Sequence, residues 1–209
     1  MTLPTSHLTP TPTTPTSLIH IPENYFEILR LETLFPVPQP LEVEIGSGDG
    51  SFLAAYAAAR TGVNFVGVER LLGRLRKLDK KAFRAGLTNV CCVRIEASYF
   101  LEFMIPKAGV CAVHIYFPDP WPKRRHHKNR LINERFPEIV AQALGPSGIV
   151  YLRTDDAAYF DQMIECFGKS PLFQSEDTPG DLRKFLTDFE RGFTDRGVPT
   201  RHAAYRKIS

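Results

Sequence analysis

The chemistry of this chain gathers in one short run, Phe117-Pro118-Asp119-Pro120-Trp121-Pro122-Lys123-Arg124-Arg125-His126-His127-Lys128. A single carboxylate, Asp119, stands between prolines with aromatic residues on either side, and cations follow at once. Proline fixes its own φ and restricts the residue before it, so this loop has few conformations to choose from. A stiff loop of that kind can hold an acid against a flat base. The adjoining Lys/Arg/His run suits phosphates, and Lys123, Arg124, Arg125, Lys128 and Arg130 are expected to face them. The plainer reading is a proline-rich surface turn leading into a solvated basic stretch. Trp121 fits two roles, stacking on a base or anchoring the loop. His126 and His127 read as hydrogen-bonding surface residues rather than a metal pair.

A second constellation lies upstream, in Glu42-Val43-Glu44-Ile45-Gly46-Ser47-Gly48-Asp49-Gly50. Three alternating glycines follow an apolar run, where the chain turns from strand to helix. Glycine admits positive φ and lets a ligand approach the backbone. The spacing is GxGxG, whereas the dinucleotide fingerprint is GxGxxG with a helix N-terminus for pyrophosphate. Acids beside the turn, Glu44 or Asp49, suit a cationic ligand better than a pyrophosphate, and S-adenosylmethionine carries a sulfonium and no phosphate. Glu69, about 20 residues beyond the turn, can accept from ribose hydroxyls. Glu96 can accept from an adenine amino group. The plain alternative for each acid is a solvated strand end.

The elements that must position these groups alternate. Strands are expected at Leu41 to Ile45, Val63 to Val68, Val90 to Ile95, Val110 to Phe117 and Gly148 to Leu152. Helices are expected at Ser51 to Arg60, Leu71 to Ala85, Leu131 to Leu144 and Tyr159 to Phe167, with an amphipathic helix before them at Glu23 to Phe35. Such alternation predicts an α/β fold, a doubly wound parallel sheet covered on both faces. Residues 1–17, rich in Thr and Pro, read as a disordered tail, and 18–209 as one domain.

Composition narrows the class. Of the 209 residues 43% are hydrophobic and 23% charged, as in ordinary globular proteins, and no run is long enough to span a bilayer. The net charge of +3 is mild but uneven, concentrated at Arg70 to Arg84 and Lys123 to Arg130. Cys91, Cys92, Cys111 and Cys166 form no CxxC pair, which points to a reduced, cytoplasmic protein without structural disulfides.

The Phe117 to His127 loop, the Glu44 to Gly50 turn and Thr187-Asp188-Phe189-Glu190 together resemble the bacterial tRNA (guanine-N7)-methyltransferase family, over roughly Asn24 to Tyr205. The resemblance implies a class I methyltransferase, Rossmann-like, mostly parallel with a C-terminal antiparallel strand. It implies methyl transfer from S-adenosylmethionine to N7 of a variable-loop guanine in tRNA, by a monomer or homodimer. It places the cofactor site on Glu44, Gly46, Gly48, Gly50, Glu69, Glu96 and Asp119, and the catalytic acid on Asp119. Substrate contacts fall on Lys123, Asp155, Thr187, Asp188, Phe189 and Glu190. Glu96 stands where a shorter Asp or Asn is usual, and Asp188 where Lys is often seen. Two other readings are a small-molecule methyltransferase and a catalytically silent RNA-binding protein. The basic run argues against the first, and the intact glycine turn with its strand-end acids against the second.

Overall fold

The computed structural model describes residues 17–208. The expected Thr/Pro tail therefore lies outside the described residues except for Ser17, whose hydroxyl donates to Asp79 on a neighbouring helix. Eight strands form one sheet: β1 (Ile19–His20), β2 (Leu41–Ile45), β3 (Asn64–Val68), β4 (Val90–Val93), β5 (Val110–Tyr116), β6 (Leu144–Thr154), β7 (Phe173–Glu176) and β8 (Arg201–Lys207). The helices are α1 (Ser51–Ala59), α2 (Leu72–Arg84), α3 (Ala97–Tyr99), α4 (Phe136–Ala143), α5 (Ala157–Gly168), α6 (Gly180–Arg183) and α7 (Asp188–Thr194).

The strand order is β1-β4-β3-β2-β5-β6-β8-β7. Pairing is parallel from β1 to β6, while β8 runs antiparallel to both β6 and β7. The order reverses at β2, between β3 and β5, which is where open sheets of this type bind ligands. In register, Ile45 lies beside Val68 on one side and Ile115 on the other, and Tyr116 lies beside Arg153. The chain segments that follow β2, β3, β5 and β6 thus emerge at one edge.

All five residues of β2 and of β3 are buried, as expected of strands covered on both faces. Val43, Ile45, Val66, Val113, Ile115 and Leu152 pack under α4 and α5 with Phe100, Phe136 and Met163. On the other face Phe52, Leu53 and Tyr56 of α1 and Leu75 and Leu78 of α2 pack with Phe65 and Tyr116. Glu42 and Glu44 alternate with the apolar residues of β2 and so share this second face. Glu42 accepts from buried His114, whose Nε2 lies 2.7 Å from its Oε2. Burial holds the His114 pKa down, and the Glu42 carboxylate only partly opposes this.

Two expected helices take other forms. Glu23 to Phe35 contains only a 3-10 turn at Leu31–Thr33. Its amphipathic face has little to pack on: Phe26 is 89% exposed, and Leu29 is instead pinned by its amide to the Met104 carbonyl at 2.8 Å. The helix expected from Leu131 begins only at Phe136, because Pro137 favours a helix's first turn and not its interior. Leu144 already belongs to β6. The last two strands had no clear sequence signal, since β8 is rich in cations and half-buried.

Arg153 on β6 fixes the C-terminal segment. Its side chain is 1% exposed and donates to Glu190 Oε2 at 2.9 Å, to the Leu182 carbonyl at 2.7 Å and to the Phe185 carbonyl at 2.7 Å. Its guanidinium carbon also sits 4.2 Å from the Tyr116 ring centroid. Removing one partner of such a pair leaves a buried charge uncompensated. Glu190→Ala is expected to cost about 3–5 kcal/mol in urea denaturation, with Glu190→Gln milder. A loss below about 1 kcal/mol would show that solvent, not Glu190, satisfies Arg153.

Candidate cofactor and substrate site

A cleft of about 600 Å³ opens at the carboxyl ends of β2, β3 and β5, between the glycine turn, the start of α2, the Asp119 loop and the first residues of α7. The turn is built by backbone bonds and by shape. The amides of Gly46 and Ser47 both donate to the Val68 carbonyl at 2.9 Å. Gly46, Gly48 and Gly50 have φ of 73°, 55° and 77°. A Cβ on Gly50 would lie 2.4 Å from Leu78 Cδ1 and 2.9 Å from the Leu78 Cα, so this glycine lets α1 and α2 close on each other.

The strand-end acids have different surroundings. Glu69 accepts from the Gly48 amide at 3.1 Å and the Leu71 amide at 2.7 Å, tying the glycine turn to α2. Each carboxylate oxygen retains a second lone pair for a ligand hydroxyl. Glu96 stands exposed on the rim and caps α3, accepting from the Ser98 and Tyr99 amides. Asp49 turns to protein partners, accepting from the Ser51 amide at 3.1 Å and from Lys81 Nζ at 2.5 Å. Burial acts to raise its pKa, but the hydrogen-bond cluster it shares with Asp188, Lys81 and Ser51 outweighs this and holds it below the usual carboxylate range.

Glu44 lines the cleft at 2% exposure, and its Oε2 has no hydrogen-bond partner. Burial pushes its carboxyl well above the ordinary range. Arg153 opposes the shift, and Asp49 and Glu69 add to it. A buried acceptor with no donor, on a residue that lines the cleft, fits a ligand that brings a donor or a cation. The amino acid part of S-adenosylmethionine carries an ammonium, so the residues present fit that group.

The Asp119 loop is strained and braced. Phe117 and Trp121 take φ of 51° and 46°, left-handed values that cost bulky residues about 1–3 kcal/mol each. The Phe117 amide donates to the Arg153 carbonyl at 2.8 Å. Arg130 donates through Nε to the Pro120 carbonyl at 2.7 Å and through a terminal nitrogen to Gln162 Oε1 at 2.7 Å, with its guanidinium carbon 4.7 Å from the Tyr159 ring centroid. At 4% exposure Arg130 holds the loop from below, which corrects the expectation that it faces phosphate. Asp119 itself is exposed, lines the cleft, and has no hydrogen bond or ion pair among the described residues.

The remaining expected residues fall in three groups. Thr187, Asp188 and Phe189 line the cleft, and Thr187 caps α7 reciprocally with Glu190. Glu190 points inward to Arg153 at 3% exposure. Lys123 lies exposed beyond the loop, with Arg124, Arg125 and Lys128 on the 3-10 helix Arg124–Asn129. Asp155 follows β6 outside the cleft lining, and the cap of α5 is Asp156, which accepts from the Tyr159 amide at 2.7 Å. Trp121 lines the cleft, with its ring edge-on to His126 at 5.8 Å. Sequence reasoning missed the bracing roles of Arg153 and Arg130, because a buried arginine has no local signature.

The architecture and cleft define a class I methyltransferase fold. Among solved structures, the 16S rRNA methyltransferase KamB superposes with a TM-score of 0.63 at 15% identity, covering 88% of this chain and 95% of that one. The family model described as "Putative methyltransferase" matches residues 38–202, and the chain belongs to that family. The tRNA (guanine-N(7)-)-methyltransferase of Chromohalobacter salexigens is 36% identical over 149 residues, 71% of this chain and 61% of that relative's length. The Sodalis glossinidius protein of the same description is 36% identical over 168 residues, 78% of this chain and 70% of the relative.

Glu44 gives a test of the cleft. An acid whose folded pKa is raised binds more protons native than unfolded, so its contribution to stability falls as pH rises above about 4.3. Ligand-free Glu44→Gln is expected to be more stable than the parent by about 1–3 kcal/mol at pH 8. That gain should shrink toward pH 4, while affinity for S-adenosylmethionine falls at least about tenfold. Thermal unfolding at the two pH values checks this, and a gain independent of pH would remove the ionisation argument.

Proposed function

We propose that this protein transfers a methyl group from S-adenosylmethionine to N7 of a guanine in the tRNA variable loop, forming 7-methylguanosine. One observation carries the reading: a braced, strained loop presents unpartnered Asp119 in the same cleft as the glycine turn and its acids, with exposed cations directly beyond it. The relatives' descriptions support the same substrate. Among the described residues no helix is long and apolar enough to cross a membrane, and we place the enzyme in the cytoplasm with tRNA as its partner.

In this reading Glu44, Glu69 and the turn Gly46, Gly48 and Gly50 hold the cofactor, with Glu96 toward the adenine. The bound cofactor supplies an electrophilic methyl on a sulfonium. Guanine N7 has a free lone pair and no proton to lose, so the protein needs alignment more than a strong base, and near-attack geometry is worth several kcal/mol. Asp119 accepts from guanine N1–H and N2–H, which excludes adenine. It also stabilises the positive charge that moves onto the purine. Lys123, Asp155, Thr187, Asp188 and Phe189 receive the RNA, and Glu190 supports them through Arg153. Extruding a base from folded tRNA suits a cleft rimmed by a short helix such as α7.

The decisive assay is transfer of labelled methyl to unmodified tRNA, with nucleoside identification and a variable-loop guanine substitution as control. The expected product is 7-methylguanosine, lost when that guanine is replaced. Label in another nucleoside overturns the position, and label in a small molecule favours the small-molecule reading. Asp119→Asn is expected to lower turnover by about 10²-fold or more, with cofactor affinity changed by less than about threefold. Equal losses in both would make Asp119 chiefly a cofactor ligand.

A further inference from the structure

A hydrogen-bond relay joins the glycine turn to α7 through Asp188, a residue that the reading above uses only as an RNA contact. Ser51, the first residue of α1, places its Oγ 2.7 Å from Asp188 Oδ1, a contact spanning 137 positions of chain. Lys81 Nζ on α2 donates to the same hydroxyl at 2.7 Å and to Asp49 Oδ2 at 2.5 Å. Asp49 also lies within 2.8 Å of that hydroxyl and takes the Ser51 amide at 3.1 Å. A hydroxyl has one proton. Asp49 is already supplied by Lys81 and by an amide, whereas the other donor to Asp188 is Arg191 at 3.2 Å on its own helix. The Ser51 proton is therefore best used on Asp188.

The rest of α7 reaches the other side of the cleft. Phe189 and Phe193 pack on Phe117 at centroid distances of 6.2 and 5.5 Å, and Glu190 is held by Arg153. The seven-residue helix thus touches the cofactor turn through Asp188 and the acid-bearing loop through its phenylalanines. Short helices are marginal alone, so such contacts decide where this one sits.

We propose that Asp188 is a positioning residue. Through the Ser51 hydroxyl it fastens the first turn of α7 to the glycine turn, holding Thr187 and Phe189 over the cleft. A ligand that stiffens the glycine turn then stiffens α7, so cofactor occupancy prepares the surface that meets the base. The part of this role that concerns RNA rests on the tRNA reading; the fastening does not.

The test uses full-length protein as parent, Ser51→Ala, Asp188→Ala, Asp188→Asn and the double alanine variant. Amide hydrogen exchange across α7 is measured with and without S-adenosylhomocysteine. The parent should gain protection with this ligand. Each single alanine variant should exchange about fivefold faster, the size expected of one net hydrogen bond, and the double variant no faster. Asp188→Asn should keep parental protection, because its amide oxygen still accepts from Ser51. With tRNA, kcat/KM should fall about fivefold in the alanine variants, with the KM for S-adenosylmethionine within about twofold. Parental exchange in the alanine variants, additive losses, or failure of Asp188→Asn to retain protection overturns the role. If exchange follows the expected pattern but the parent methylates no tRNA, the fastening stands and the substrate reading fails.

Discussion

A buried guanidinium organises this molecule. Arg153 lies among Phe52, Tyr116 and the C-terminal segment, where an uncompensated charge would cost several kcal/mol. Glu190 and two carbonyls from residues 182 and 185 take up its two terminal nitrogens, while its Nε is buried without an acceptor among the described residues. The chain from α6 through α7 therefore folds back over the sheet beside β2. The Arg153 carbonyl receives the Phe117 amide, so the same residue also starts the Asp119 loop. Its charge reaches Glu44 as well, partly restraining the upward push of burial on that carboxyl. Cofactor turn, acid loop and α7 all meet at one arginine.

Around that anchor the cleft carries groups held at a cost to stability. Glu44 is buried with an oxygen that has no donor, and Phe117 and Trp121 occupy left-handed backbone conformations. Such features persist only where the surroundings over-determine them. Here the bracing is visible: Arg130 grips the Pro120 carbonyl, and Arg153 grips the loop's start. An acid presented this way needs no reorganisation when charge develops nearby, which is the condition for electrostatic stabilisation of a transition state.

Much of this was legible in the residues. Apolar-rich runs alternating with helical ones gave β2 to β5 to within a few positions, because parallel strands covered on both faces are mostly hydrophobic; the buried exceptions include Glu42, Glu44 and His114. The glycine turn was legible because positive φ at three alternating positions leaves few other residues. The helix expected at Glu23 to Phe35 did not form, since an amphipathic pattern makes a helix only where a partner surface exists. Arg130 belonged by sequence to the basic run, yet a ring and two acceptors draw it inside while its neighbours stay in water.

By itself, the sequence determined the alternating α/β order, the cofactor turn and the proline-stiffened acid loop, all set by local backbone restriction and hydrophobic period. Tertiary structure alone decided which acids stay unpartnered. Asp49 is taken up by the Ser51 amide and Lys81, and Glu69 by the amides of Gly48 and Leu71, whereas Glu44 and Asp119 line the cleft with carboxylate oxygens that have no donor among the described residues. The reason is physical: a carboxylate's availability depends on which donors lie within about 3 Å. Asp49 and Glu69 each take one local amide, Ser51 and Leu71, but their other donors, Lys81 and Gly48, stand 32 and 21 positions away along the chain.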